Sequence, residues 1–199
     1  TASNRRLREF LTQRFLSTSD VSENKVNITV FYETLCPGSV DFFKEQLGPT
    51  VEKLSTYVNV HLVPFGYAKV KLINERNYLE CQHGYYECVG NILHACVIEL
   101  LHKTKAVLLN TCLIQKYTTF ANFQHVSAIK ITRNQIWSCL RNNQVGSILN
   151  RYGEETRIED PEYLPYVLLN GVLNRNAQAN LISIVCEILQ PTPRACENV

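Results

Sequence analysis

The stretch VNITVFYETLCPGSVDFF, residues 26 to 43, decides how this chain reads. Val26, Ile28, Val30 and Tyr32 alternate with Asn27, Thr29 and Phe31, and β-branched and aromatic residues at a period of two describe a pleated, half-buried strand. Leu35-Cys36-Pro37-Gly38-Ser39 follows, and Pro37 pre-sets the φ angle of a first helical residue. Cys36 therefore falls at or just before a helix N-terminus. Unpaired backbone N–H groups and the positive end of the helix macrodipole favour an anionic sulfur at such a place. A second sulfur three residues on would complete a dithiol redox site. Here that position is Ser39, an oxygen. Cys36 thus has two readings, a redox nucleophile or a plain disulfide cysteine.

Outward from this stretch, Val40, Phe43, Leu47, Val51 and Leu54 share one helical face, which Gly48-Pro49 should kink. In TYVNVHLVPFG, Val58, Val60 and Leu62 alternate with Tyr57, Asn59 and His61, giving a second strand closed by Pro64 and Gly66. His61 reads as a surface strand residue rather than a catalytic base. Strand, helix and strand make one right-handed βαβ unit. Residues 66 to 130 carry no strong strand signal; Val89, Ile92, Leu93, Cys96, Val97, Leu100 and Leu101 trace a helical stripe, and a further helix is expected over 111–122. Two more helices fit ITRNQIWSCL, with Trp137 as a core residue, and NQVGSILNRY. Leu164-Pro165-Tyr166-Val167-Leu168-Leu169 is the third strand, and Asn170-Gly171 before Val172-Leu173 signals a two-residue hairpin turn. A last helix is expected over 176–189 with Leu181, Ile184, Val185 and Ile188 inward. The tail QPTPRACENV should lack regular structure and be pinned by a disulfide at Cys196.

Composition narrows the function classes. With 199 residues, 45% hydrophobic and 19% charged, the chain can bury one substantial core and does not read as disordered. A net charge of +2 exerts no pull toward nucleic acid. No apolar run approaches the ~20 residues that cross a bilayer. The sequence has no methionine, begins at Thr1 and holds eight cysteines, which fits a mature extracytoplasmic protein whose signal peptide is gone. Asn27-Ile28-Thr29 is the only glycosylation sequon, and Asn27 is expected to be glycosylated. Residues 1–25 form a basic arm with Leu7, Phe10, Leu11 and Phe15 near helical spacing, read as packing on the domain.

Residues 81 to 96 read CQHGYYECVGNILHAC. Cys81, His83, Cys88, His94 and Cys96 could ligate zinc, but cysteine spacings of seven and eight do not match compact zinc knuckles, and disulfide staples are the preferred reading. The run fits the pattern CQHG-x2-EC-x2-N-x4-C through Cys81, Gln82, His83, Gly84, Glu87, Cys88, Asn91 and Cys96. In this it resembles the gamma-interferon-inducible lysosomal thiol reductase family. YETLCPGS is similar to that family's active-site segment, and LPYVLLNG to its strand after a cis-proline. The resemblance spans about residues 26 to 189. It implies an α/β, thioredoxin-like fold whose βαβ and ββα halves flank a disulfide-stapled helical insertion over about 66–130. One domain would cover 26–189, with an arm at 1–25 and a tail at 190–199. It further implies a protein of the secreted or endolysosomal lumen that reduces disulfides of protein substrates at acidic pH, without a cofactor. By position, Cys36 would be the attacking thiol, Ser39 the place of the resolving thiol and Pro165 the cis-proline beside them. The eight signature residues would build the insertion through disulfides and structural hydrogen bonds.

Ser39 departs from that pattern. Reduction by a dithiol site needs a first thiolate to form a mixed disulfide and a second thiol to displace it. A serine hydroxyl cannot perform the second step. Cysteine parity adds a second departure. Cys81, Cys88, Cys96, Cys112, Cys139, Cys186 and Cys196 are disulfide candidates, and seven cannot all pair within one chain. Either one stays free or links two chains as a dimer, or Cys36 is itself bonded. The missing resolving thiol favours a protein that acts by binding a partner; the alternative is a monothiol reductase or isomerase that uses Cys36.

Overall fold

The computed structural model describes residues 25–73, 76–115, 133–141 and 144–199. Residues 1–24 of the expected arm, and 116–122 of the helix expected over 111–122, lie outside them. Strand β1 (Val26–Tyr32) is central in a four-stranded sheet of order β2-β1-β5-β6. It runs parallel to β2 (Val58–Pro64), with Val26 opposite Val58, and antiparallel to β5 (Tyr166–Leu169). β6 (Val172–Leu173) returns from β5 through Asn170 and Gly171 at φ of 51° and 80°, the left-handed pair of a type I′ turn. The alternation in β1 sorts the core. Ile28, Val30 and Tyr32 pack with Phe43, Leu47, Val51, Leu54, Leu181 and Val185, whereas Phe31 joins Val63, Tyr166, Leu168 and Tyr152 on the opposite face. Both faces are therefore covered, as a βαβ crossover requires.

The helix after Cys36 does not break at Gly48-Pro49. It runs as α1 (Pro37–Phe42), a π turn (Phe43–Leu47) and α2 (Gly48–Leu54). Pro49 has no N–H, and its ring opposes the carbonyl four residues earlier. The Gly48 N–H instead reaches the Phe43 carbonyl five residues back, and this wider register accommodates the proline.

Between β2 and β5 lie the ribbon β3 (Lys69–Ile73) with β4 (Arg76–Glu80), then α3 (Tyr85–Leu100), α4 (Lys103–Gln115), α5 (Arg133–Arg141) and α6 (Gln144–Glu159). The ribbon corrects the expectation that 66–130 is free of strands. Lys69, Lys71 and Glu80 dilute its apolar pattern, and Val70 and Tyr78 stay exposed, so a strand pair that buries little leaves a weak signal. α4 begins at Lys103, not at 111. Trp137 is not a core residue: it is 36% exposed beneath the Arg141 guanidinium at 4.9 Å, and its neighbour Ile136 takes the interior position. In α7 (Ala177–Ile188), Leu181 and Val185 are buried but Ile188 is exposed. The tail contains one 3₁₀ turn, Arg194–Cys196.

Three disulfides join Cys81 to Cys88, Cys96 to Cys139 and Cys186 to Cys196. Cys36 and Cys112 carry free thiols. Cys112, expected among the disulfide candidates, sits half-buried on α4 without a sulfur partner. An even total with two free cysteines resolves the parity.

Candidate active site

Cys36 lies in the short connection from β1 to α1. It caps the helix at φ −65° and ψ 120°, its carbonyl accepts the Val40 N–H at 3.0 Å, and Pro37 is the first helical residue. The half-buried thiol points to the Leu164 carbonyl, with Sγ 3.9 Å from that oxygen. The Leu164–Pro165 bond is cis. Gly38 allows this approach, because a Cβ there would stand 3.3 Å from both the Leu164 oxygen and the Pro165 Cδ. Ser39 is fully buried in the first turn of the helix, and its Oγ has no hydrogen-bond partner among the described residues. The structure thus brings Cys36, Ser39 and Pro165 to one place. An open cleft of roughly 500 Å³ adjoins the Leu164–Pro165 side, lined by Gly38, Asp41, Phe42, Glu45, Gln46, Leu164, Pro165 and Gln178. Gln178 Nε2 donates to the Pro165 carbonyl at 2.5 Å.

The signature block forms the wall behind this connection. Its cysteines Cys81 and Cys88 close a small loop, in which Gly84 takes a φ of 84°. α3 then lays Asn91 and Glu87 against the end of β1. Asn91 Oδ1 accepts the Thr34 N–H at 3.0 Å, and the Thr34 hydroxyl lies 2.9 Å from Asn91 Oδ1 and 3.2 Å from the Glu87 carbonyl. The Glu87 carboxylate accepts the His83 N–H at 3.0 Å and meets His83 Nδ1 at 2.5 Å. Gln82 is exposed, and Cys96 ties α3 to α5 through Cys139. Gly90 makes the fit possible, since a Cβ there would stand 2.3 Å from Thr34 Oγ1. Gly90→Ala should therefore cost about 1–3 kcal/mol by overpacking. Thermal unfolding checks this, and an unchanged midpoint would mean that Thr34 can move aside freely.

Deeper in the same wall, Tyr32 and His94 form a buried pair, with Oη 3.0 Å from Nδ1. Burial pushes the His94 pKa down to about 3. The imidazole is thus neutral, and it shares a hydrogen bond with the Tyr32 hydroxyl. An unfolded histidine titrates near ~6.5, so on acidification the unfolded state takes up this proton first. The His94 contribution is complete above about pH 6.5 and is lost as pH falls toward 3, at up to ~1.4 kcal/mol per pH unit. His94→Asn should flatten the fall of the urea midpoint between about pH 7 and pH 4.5. Equal slopes in parent and variant would place the acid sensitivity elsewhere.

Several residues of this site do not stand out in the sequence. Glu33, at the end of an apolar strand, is fully buried, its pKa pushed up to about 7 by burial and by the Glu87 charge. Its Oε1 accepts the Tyr67 N–H at 2.7 Å, and Gly66 (φ 56°) leaves the room it occupies. Thr34 and Gly90 carry no signal beyond their identity. The five residues of the zinc reading do not form one ligand set, because four of the sulfur and nitrogen groups are committed to disulfides or to the Tyr32 pair. Asn27, the sequon residue, is exposed at the start of β1, where its Oδ1 accepts from Asn59 Nδ2 at 2.9 Å. His61 is exposed on β2 and pairs with Glu155 at 2.6 Å.

Comparison with known proteins fits this geometry. The model of the family described as gamma interferon inducible lysosomal thiol reductase matches residues 27–145. GILT-like protein 2 of Drosophila melanogaster is 31% identical over 160 residues, covering 79% of this chain and 75% of that protein. The gamma-interferon-inducible lysosomal thiol reductase of Carassius auratus is 30% identical over 182 residues, covering 86% and 72%. Among solved structures, the DsbA of Chlamydia trachomatis aligns with a TM-score of 0.58 at 14% identity, covering 84% of this chain and 88% of that one. At such an identity the structural likeness speaks to the fold alone, which is thioredoxin-like with a helical insertion. The family match spans both the Cys36 segment and the signature block, and the chain belongs to the gamma interferon inducible lysosomal thiol reductase family.

Proposed function

We propose that this protein captures disulfide-bearing polypeptides through Cys36 alone and that its dithiol reductase turnover is lost or strongly reduced. The observation that carries the reading is the free, half-buried Cys36 thiol, set against Leu164-Pro165 beside an open cleft, with a hydroxyl at position 39. In the first step the Cys36 thiolate attacks a partner disulfide. The partner's S–S bond breaks, a bond from Cys36 to one partner sulfur forms, and the other sulfur leaves as a thiolate that takes up a proton. In a dithiol site the second sulfur would then displace the first. Ser39 cannot, so the mixed disulfide persists until an external thiol attacks it. Pro165 serves as the wall that positions the partner, and the signature residues as the support of the Cys36 connection. Three disulfides favour an oxidising, extracytoplasmic setting, secreted or endolysosomal, in which Asn27 would carry a glycan. Among the described residues no helix is long and apolar enough to cross a membrane.

The test is the dependence of turnover on a small external thiol. Release of a captured partner should rise linearly with glutathione and vanish without it. Multiple turnovers driven by an enzymatic dithiol donor at a rate independent of glutathione would overturn the monothiol reading. Noncovalent partner binding is a second reading, favoured by the exposed, adjoining rings of Tyr85 and Tyr86, whose centroids are 5.7 Å apart at the start of α3.

A further inference from the structure

The signature loop also closes a second group of reactive side chains, behind the thiol rather than at it. One ring nitrogen of His83 and one carboxylate oxygen each of Glu33 and Glu87 lie within 4.8 Å of one another. The side chains of both glutamates are 0% exposed. Each carboxylate has its Oε1 fixed by a backbone donor, the Tyr67 N–H at 2.7 Å for Glu33 and the His83 N–H at 3.0 Å for Glu87. That leaves both Oε2 atoms turned toward His83 Nδ1, at 2.5 Å from Glu87 and 3.5 Å from Glu33. The longer separation is beyond ordinary hydrogen-bond reach. Glu33 Oε2 is accordingly a buried acceptor with no hydrogen-bond partner among the described residues. Such an orphan oxygen is costly, and when both carboxylates are ionised their charge outweighs the single positive charge that one imidazole can carry.

We propose that Glu33, His83 and Glu87 form a binding site for one divalent transition-metal cation of the zinc class, ligated by His83 Nδ1 and the Oε2 atoms of the two glutamates. A dication balances the two carboxylates and gives Glu33 Oε2 the partner it lacks. The imidazole nitrogen selects transition ions over magnesium and calcium. Around a tetrahedral zinc with bonds of about 2.0–2.1 Å, neighbouring ligand atoms stand roughly 3.3 Å apart, close to the Glu33–His83 separation of 3.5 Å. Entry of the ion releases to solvent the proton of the His83–Glu87 hydrogen bond, together with any on Glu33, and lets His83 and Glu87 part. His83 is 33% exposed, so solvent reaches the site and can supply the fourth ligand. Gly66 is built for the cradle, because a Cβ there would come within 2.2 Å of Glu33 Cγ. The ion would tie the residue three places before Cys36 directly to the disulfide-closed signature loop. Cys81 and Cys88 take no part, their sulfurs being bonded to each other.

The experiment uses the full chain with Cys36 and Cys112 alkylated, stripped of metal by a chelator and dialysed. Zinc is titrated in competition with a chromogenic zinc indicator, and cobalt by visible absorption. The expected result is one equivalent of zinc per chain, and cobalt d–d bands without a thiolate charge-transfer band. Glu33→Gln, which keeps the shape of the side chain, should weaken binding by about 10–100-fold or more. His83→Ala should do at least as much, whereas His61→Asn, on the exposed ion pair with Glu155, should leave the affinity unchanged. Circular dichroism verifies that each variant is folded. No binding by the folded parent at millimolar zinc would overturn the proposal and leave the cluster holding only a shared proton. Binding that is indifferent to Glu33→Gln would overturn it as well, by placing the metal elsewhere.

Discussion

Replacing Ser39→Cys should raise disulfide-reducing turnover by roughly a hundredfold or more. Position 39 lies in the first turn of α1, three residues after the Cys36 thiol. Ser39 Oγ is buried and neither accepts nor donates a hydrogen bond among the described residues, so exchanging oxygen for sulfur breaks nothing there. A thiol two residues beyond Pro37 would meet the mixed disulfide intramolecularly. Well-oriented intramolecular attack corresponds to effective concentrations on the order of 10⁵ M or above, against millimolar external thiol, so even imperfect geometry leaves a large gain. Steady-state reduction of a disulfide-bonded protein, at fixed low glutathione, measures it, with the parent chain as control. A folded S39C variant whose two site thiols both titrate, yet which shows no gain, would mean that the site has drifted beyond this one position. The noncovalent reading would then stand.

The second large effect is on the parent's own adducts. Incubated with a disulfide-bearing protein and no small thiol, the chain should accumulate slow-migrating species that disappear on reduction, and Cys36→Ala should abolish them. The only other free thiol among the described residues is Cys112, half-buried on α4 with its neighbours Thr111 and Leu113 in the interior. Cys36 and Cys112 are both half-buried, so the two single variants, and not burial, decide between them. Adducts that survive in Cys36→Ala but vanish in Cys112→Ala would transfer the chemistry to α4 and refute the assignment. Absence of adducts in the parent would leave surface recognition as the mode of action.

The parts of this fold that are legible in the sequence are those decided by near neighbours. β1, the helix starting at Pro37 and the Asn170-Gly171 turn each follow from a few adjacent residues whose backbone preferences agree. Trp137 and Ile136 show where such reading fails. One step along a helix rotates a side chain by about 100°, so a small phase error exchanges a buried position for an exposed one. The disulfide pairing is out of reach for another reason: eight cysteines permit 105 connectivities, and only the folded path of α3 brings Cys96 to Cys139. Glu33 is the instructive miss. A carboxylate at a strand end reads as solvent-facing, and its neighbours Gly66, His83 and Glu87 stand 33 or more residues away. The signature block is visible as a pattern, but that it braces the Cys36 connection through Thr34 is a fact of tertiary structure.

The Cys81–Cys88 bond gives that bracing a further meaning. The loop it closes carries His83 and leads into the helix turn whose Glu87 and Asn91 hold Thr34, two residues before Cys36. Under the proposed function, the scaffold of the thiol is itself built with the bond type that the thiol would attack. A reductant able to open Cys81–Cys88 would then act on two clients at once, freeing a captured partner and loosening the support around Cys36. Redox strength would therefore be a structural variable for this protein, and the proposed capture by Cys36 calls for a mild donor that spares the loop.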